Sequence, residues 1–341
     1  MAKMNKHWVL REYPKGMPTA DIWELQESPV PEPAPGKIVA KAHYLSVDPY
    51  MRGRIARSKG YTKGVELGET MHGGGVGEVI ASSHPDFAPG DFVDSMAFGW
   101  QQFAELDPSV VGPNSVNRVD PNRAPLQSAL GWLGMPGVTA YWGLMGVAKL
   151  KPGETLVVSA ASGAVGQLVG QIAKIQGARA VGIAGGEAKC DFCREIGFDS
   201  MVDYRAETDL DAAVARECPD GIDAFWDNTA GAMHDAAMKI LNTGARVVIC
   251  GTIALSGSLG MPDMGERFLR QILVARATVQ GFLVFDWWDK REEALDALVG
   301  WHKDGQLTIR EDVVVGIDAM PEAFLRLMHG TNFGKQLVRI V

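Results

Sequence analysis

The chain is short of cysteine, of basic charge and of long apolar runs, and each shortage excludes a class of protein. Four cysteines in 341 residues (Cys190, Cys193, Cys218 and Cys250) are too few for a disulfide framework and fit a reducing compartment. Lysine and arginine total 33 against 41 aspartates and glutamates, a net charge of −8. The basic surplus that nucleic acid or an anionic membrane demands is therefore missing. No stretch approaches the ~20 consecutive apolar residues of a membrane helix. Met1 to Leu10 carries Lys3, Lys6 and His7 without an apolar run of signal-peptide length, so a cytoplasmic protein is expected. The seven histidines are scattered, with no HxxxH and no Cys/His cluster, which predicts no metal centre. The GxSxG elbow of serine hydrolases is also absent.

What is present is glycine, 40 residues against 18 prolines, and a change of pattern along the chain. Up to about residue 106 the apolar runs are short and β-branched or aromatic (residues 38–45, 76–82 and 92–96), with prolines at 29, 31, 33 and 35 forbidding regular pairing between two of them. From Lys151 strand and helix alternate. Strands are predicted over residues 155–159, 179–183, 201–203, 222–228, 246–250 and 278–281, and helices over 164–176, 187–196, 212–217, 232–241 and 291–303. Alternation of this kind implies right-handed crossovers and a parallel, doubly wound sheet. The tail reads as strand 308–315, helix 321–329 and strand 336–340, and is expected to return to the first domain.

The most informative segment is Leu156-Val-Val-Ser-Ala-Ala-Ser-Gly-Ala-Val-Gly-Gln-Leu-Val-Gly170, a strand running through a small-residue turn into a helix. Gly163 and Gly166 let backbone approach a pyrophosphate, whose charge would rest on the amides of the helix N-terminus, and Gly170 would let that helix pack closely on the sheet. Because the turn opens a βαβ array, it predicts dinucleotide binding. An NAD site ends its second strand with an acid for the ribose 2′-hydroxyl. Here that strand ends in Gly185-Gly186, with Lys189 on the next helix and Tyr204-Arg205 ending the next strand; a Lys and a Tyr there suit a 2′-phosphate and favour NADP, while the nearby Glu187, and Lys189 read as a solvated helix residue, are the case for NAD. The CxxC of Cys190 and Cys193 lies on a predicted helix without a second pair, so buried thiols are expected. His72, before three glycines, reads as a packed or capping residue. The run Arg52, Arg54, Arg57, Lys59 and Lys63 reads as a solvated loop, with attraction of an anionic cofactor or substrate as the alternative.

Taken together, the chain resembles the zinc-independent branch of the medium-chain dehydrogenase/reductases, in the group of prostaglandin/leukotriene reductases, alkenal double-bond reductases and curcumin reductases. The likeness runs end to end through Val47-Asp-Pro-Tyr-Met-Arg-Gly53, Leu133-Gly-Met-Pro-Gly-Val-Thr-Ala-Tyr141, Ala160-Ala-Ser-Gly-Ala-Val-Gly166, Asp227-Asn228, Val248-Ile-Cys-Gly251, Gln280-Gly-Phe-Leu-Val284 and Asn332-Phe-Gly-Lys335. It implies an α/β fold: a GroES-like β-rich catalytic domain (residues 1–130, completed by 305–341) and a Rossmann domain with a doubly wound parallel sheet (131–304). Where zinc-dependent relatives have a Gly-His-Glu ligand, this chain has His72-Gly-Gly74, so no metal is implied.

The same resemblance implies the roles of single residues. Gly163, Ala164, Val165 and Gly166 would bind the pyrophosphate of NADPH, and Lys189 and Tyr204 its 2′-phosphate. Asn228 and the strand end Cys250, Gly251, Thr252 and Ile253 would flank the cofactor. Phe282, Leu283, Val284 and Asn332 would hold the nicotinamide end, with Met135 and Thr139 beside it. Tyr50 would face the substrate; a phenol of pKa ~10 is protonated at neutral pH, which makes it the best-placed catalytic proton donor, with a wall of the pocket as its other reading and a cofactor ribose hydroxyl or water as the other proton source. Phe285, in the cluster Phe285-Asp-Trp-Trp288, would line the substrate pocket or a subunit contact. The family's tyrosines beyond the Cys-Gly strand and on the following helix are replaced by Ser256 and Val274, which favours smaller or aromatic enones over prostaglandins. The expected reaction is NADPH-dependent reduction of the C=C bond of α,β-unsaturated ketones or aldehydes by a homodimer. A quinone or enoyl-thioester reductase, or a non-catalytic NADPH-binding sensor or scaffold, are the alternatives.

Overall fold

Two N-terminal runs, Met4–Leu10 (β1) and Trp23–Pro29 (β2), pair antiparallel from Met4 opposite Pro29 to Leu10 opposite Trp23. The prolines at 31, 33 and 35 then offer no amide to a ladder. The computed structural model describes residues 3–56 and 62–341. The chain divides into two units: Met1–Gly134 with Gly257–Met261 and Glu311–Val341, and Met135–Ser256 with Pro262–Arg310. In the first unit the apolar run Ile38–Ser46 (β3) is the central strand. A one-turn helix, Met51–Arg54 (α1), comes after it, and then Gly75–Ser82 (β4), Phe92–Ser95 (β5), Phe103–Leu106 (β6) and Asn117–Arg118 (β7).

The second unit keeps the alternating pattern of its sequence. Its helices are Met135–Trp142 (α2), Gly166–Ile175 (α3), Glu187–Glu195 (α4), Leu210–Glu217 (α5), Gly231–Met238 (α6), Leu269–Ala275 (α7) and Arg291–Lys303 (α8). Its strands are Thr155–Ser159 (β8), Arg179–Ala184 (β9), Ser200–Asp203 (β10), Ile222–Asp227 (β11), Leu241–Ile249 (β12) and Thr278–Gly281 (β13). All six are parallel, in the order β10-β9-β8-β11-β12-β13. That is the doubly wound order, with its switch point between β8 and β11. Val157, Val181, Ile183, Ile222 and Phe225 lie wholly buried on this sheet. At Gly170 a Cβ would fall 1.9 Å from the Phe198 ring, so the glycine admits an aromatic ring beside α3.

The chain then re-enters the first unit as Glu311–Val315 (β14), Met320–Met328 (α9) and Lys335–Arg339 (β15). β15 pairs antiparallel with β3, and the sheet runs β14-β15-β3-β4-β5-β7 with β6 also on β3. Trp23, Trp100 and Phe324 pack ring against ring at 5.2–5.9 Å in its core.

Several predicted boundaries move, and two of the shifts are instructive. The strand expected from residue 308 begins at Glu311. Gln171 donates to Thr308 O and accepts from Thr308 N, and Gln167 does the same for Arg310. Two side chains on α3 thus take the place of a neighbouring strand. The helix expected to reach residue 241 stops at Met238, and Leu241 instead begins β12 opposite Ile222, before a bulge at the left-handed Gly244.

Candidate functional site

In the second unit most of the residues singled out by sequence follow the C-terminal ends of the parallel strands β8 to β13, where doubly wound sheets bind ligands, and Met135 and Thr139 lie on α2. After Ser159 the backbone turns sharply. Ala160 sits at φ +49°, a left-handed conformation that costs a residue with a Cβ ~1–2 kcal/mol, and Ala161 N–H is tied to Ile183 O at 3.0 Å. Gly163 N–H donates to Ala160 O at 2.9 Å, and Gly166 opens α3 where a Cβ would lie 2.3 Å from that oxygen. A glycine is obligatory there. Ala164 and Val165 complete the turn, whose amides form the positive end of a ten-residue helix. This small-residue cradle fits the pyrophosphate of a dinucleotide.

The tip of β9 carries no acid. A Cβ on Gly185 would fall 2.7 Å from the Tyr204 ring and hydroxyl, so the phenol fills the space a side chain there would need. Asp203 fixes this corner by accepting from Gly186 N–H at 2.8 Å and Arg205 N–H at 3.0 Å. The Arg205 guanidinium lies 5.8 Å from the Tyr204 ring, and Lys189 stands half-buried on α4. Sequence reasoning passes over Asp203, although its place at a strand end, next to Tyr204, is a visible signal.

A second network, missed from sequence, lies beneath the switch point. Asp227 is wholly buried. Its Oδ1 accepts from Ser159 Oγ (3.0 Å), Thr229 N (2.8 Å), Thr229 Oγ1 (3.2 Å) and Ala230 N (2.9 Å), and its Oδ2 lies 2.9 Å from His234 Nδ1. Burial opposes its charge, yet the bonds from His234, Thr229 and Ala230 hold the carboxyl below the ordinary range. The hydrogen bond to Asp227 raises His234 in turn, against desolvation. Asn228 donates from Nδ2 to Ser159 O at 2.7 Å and accepts from Trp226 Nε1 at 2.9 Å, and Cys250 and Gly251 N–H both donate to Asp227 O. Ile253 N–H reaches Asn228 O at 3.5 Å, while Thr252 is exposed.

Elsewhere in this unit, Phe282 is buried, donates N–H to Ile249 O and sets its ring 6.2 Å from Trp226; Val284 is buried and Leu283 exposed. Phe285 packs edge-on against Trp288. On α2 the buried Thr139 hydroxyl donates to Met135 O at 2.7 Å. Ser256 is buried and Val274 exposed. Cys190 and Cys193 are buried thiols, the latter pushed up to about 12 by desolvation.

In the first unit, Tyr50 caps α1 and Arg54 lies 5.5 Å from its ring. Two residues before it, Asp48 is paired in the interior with Lys335. Asn332 is buried and donates from Nδ2 to Gly334 O at 3.0 Å. The basic run is not a uniformly solvated loop. Arg52 is buried, donates to Gly16 O at 2.8 Å and is lowered by desolvation. Arg54 bonds Lys63 O, and Lys63 stands 3.9 Å from both Glu66 and Glu69. Arg57 and Lys59 lie outside the described residues. His72 is half-buried, and burial, with the Arg54 charge, lowers it. Among the described residues, no group of three His, Cys, Asp or Glu is arranged to hold a metal ion, and no helix is long and apolar enough to cross a membrane.

Comparison with known proteins agrees across both units. Residues 6–112 match the family model for the N-terminal domain of oxidoreductase, and residues 164–300 the model for zinc-binding dehydrogenase. The NADPH-dependent curcumin reductase of Escherichia coli is 39% identical over 98% of this chain and 97% of its own. The NADP(+)-dependent 2-alkenal reductase of Nicotiana tabacum is 37% identical over 98% and 97%. CurA of Vibrio vulnificus, solved in complex with NADPH, superposes with a TM-score of 0.91 at 39% identity, covering 98% of this chain and 99% of that one.

Proposed function

We propose, for a chain that belongs to the medium-chain dehydrogenase/reductase group of the curcumin, 2-alkenal and prostaglandin reductases, NADPH-dependent reduction of the C=C bond of an α,β-unsaturated ketone or aldehyde. The observation that carries the cofactor is the tip of β9, where Tyr204 fills the space beside Gly185 and leaves no room for a carboxylate side chain at that position. The relatives named for curcumin and 2-alkenals support the substrate class.

Bound NADPH would supply the hydride that an enone accepts at its β-carbon, balanced by one proton at the α-carbon. The chain's residues do the rest. Amides of the turn Gly163, Ala164, Val165 and Gly166 hold the pyrophosphate on the helix dipole. Lys189 and Tyr204 take the 2′-phosphate. Asn228 and the segment from Cys250 to Ile253 flank the cofactor, and Phe282 to Val284 and Asn332 hold the nicotinamide end, with Met135 and Thr139 beside it. Tyr50 donates to the carbonyl oxygen as enolate charge develops, a contribution of several kcal/mol for a pre-placed donor in a dry site, and Phe285 lines the substrate. In this reading residues 1–130 with 305–341 form the catalytic domain and 131–304 the cofactor domain of a cytoplasmic homodimer. Support for the dimer comes from the exposed edge strand β13 and from Leu269, Leu273 and Val274 exposed on α7.

The test is NADPH oxidation with a short 2-alkenal, an aromatic enone, a curcumin-like dienone and a quinone, with NADH in parallel. Turnover of enones with NADPH to the saturated carbonyl is expected. Consumption of quinone alone moves the reaction to a quinone reductase, and saturable NADPH binding without any turnover leaves a sensor.

A further inference from the structure

We infer that Lys335, Asp48 and Ser46 form a buried clamp whose task is to position Tyr50, an inference that rests on the proposed donor role of that tyrosine. Lys335 and Asp48 are 2% and 5% exposed. Lys335 Nζ donates to Asp48 Oδ1 (2.5 Å), Ser46 Oγ (2.7 Å) and Val47 O (3.0 Å), which uses all three of its protons. Ser46 Oγ donates to Asp48 Oδ2, so both carboxylate oxygens are held. Val47 N–H is tied to Gln336 O at 3.2 Å and Ser46 N–H to Gly74 O at 2.8 Å. The segment that leaves β3 is therefore pinned at three successive residues by β15, the residue preceding β4 and one ammonium.

The backbone from Pro49 to Gly53 has little freedom beyond these pinned atoms. Pro49 fixes its own φ, Asp48 O accepts from Met51 N–H at 3.2 Å, and Tyr50 O accepts from Gly53 N–H at 3.0 Å. The direction in which Tyr50 leaves the backbone is thus set two residues upstream. A buried ion pair is a weak source of stability compared with apolar residues of like volume. What an ammonium ringed by three oxygens supplies well is position, and the two motifs it joins lie 287 residues apart in sequence. These are positioning residues, acting through Tyr50.

The experiment is a double-mutant cycle on the full chain, read as kcat and KM with NADPH and benzylideneacetone. Replacement of the pair by apolar residues, Lys335→Met with Asp48→Leu, is expected to leave the fold intact by circular dichroism and KM for NADPH within about twofold, while kcat falls about tenfold. Tyr50→Phe, costly in the wild-type chain, is expected to cost less than about twofold in that background, because the two changes act on one element. Full kcat in the pair variant, or an undiminished Tyr50→Phe effect within it, overturns the clamp and leaves the donor role standing. A silent Tyr50→Phe in the wild-type chain overturns both. Should the pair variant fail to fold, Ser46→Ala decides instead: a fall in kcat that disappears in the Tyr50→Phe background supports the clamp, and unchanged kcat overturns it.

Discussion

Replacing Asp227 with asparagine tests the network beneath the switch point most directly. The carboxylate accepts four hydrogen bonds at Oδ1 and one at Oδ2 with no exposure to solvent. Bonds to a charged acceptor contribute ~1.5–3 kcal/mol against ~0.5–1.5 for a neutral one. Asparagine keeps an oxygen at the Oδ1 position, so each of four bonds weakens by about 1 kcal/mol. At the other position an amide meets His234 Nδ1, which must then accept as a neutral ring. Relief of the buried charge returns part of this loss, leaving a net destabilisation of about 2–4 kcal/mol. For a unit of about 170 residues that lowers Tm by roughly 5–15 °C, measurable by scanning calorimetry.

The pH dependence supplies an independent sign. His234 is raised from its ordinary 6.5 by Asp227. Its stabilising contribution is therefore complete below ~6.5 and lost as pH rises through the elevated value. Asp227 is lowered, so its contribution is present above the ordinary carboxylate value and lost only as pH falls through the depressed one. Wild-type Tm should decline above pH ~6.5, and the decline should flatten in His234→Gln. An Asp227→Asn chain within about 2 °C of wild type, well short of the shift expected for such a loss, or identical slopes in wild type and His234→Gln, would refute the reasoning.

Three further outcomes are expected from the same geometry. Gly185→Asp combined with Tyr204→Ser, which clears the 2.7 Å collision, should raise KM for NADPH at least about tenfold while NADH is gained, since a carboxylate repels the 2′-phosphate and accepts from a 2′-hydroxyl; an unchanged NADPH/NADH ratio in steady-state assays would dismiss Gly185 as the selector. Thiol titration with Ellman's reagent should find fewer than about one fast cysteine in the native chain and all four after denaturation, because burial pushes Cys193 and Cys250 to about 12 and Cys218 to about 11 and raises Cys190; two fast thiols would contradict it. Val279→Lys on the exposed edge β13, where Val279 is 41% exposed, should convert the proposed dimer to monomer in sedimentation velocity without lowering the monomer's helicity, and a persisting dimer would move the interface elsewhere.

The parallel sheet was legible because its signals are local. Strand 155–159, helix 187–196 and strand 278–281 are short apolar or periodic runs, and each falls within a residue of its predicted place. The glycine turn was legible for the same reason, since strand, turn and helix are contiguous. The start of β14 was not. Whether residues 308–310 pair as strand depends on Gln167 and Gln171, about 140 positions earlier, taking their backbone groups. Arg52 likewise looked solvated from its neighbours in sequence, yet it is buried and its guanidinium donates to Gly16 O, 36 positions earlier.

By itself the sequence determined the fold class, the place of the glycine turn and the Gly185-Gly186 pair at the tip of the second strand, because periodicity, glycine stereochemistry and residue identity are properties of adjacent positions. Tertiary structure alone decided which buried charges meet. Asp227 was written beside Asn228 without any sign of His234, and Asp48 without any sign of Lys335. A buried carboxylate is tolerable only when other segments bring it donors, so its partner is a fact of chain topology and not of local sequence.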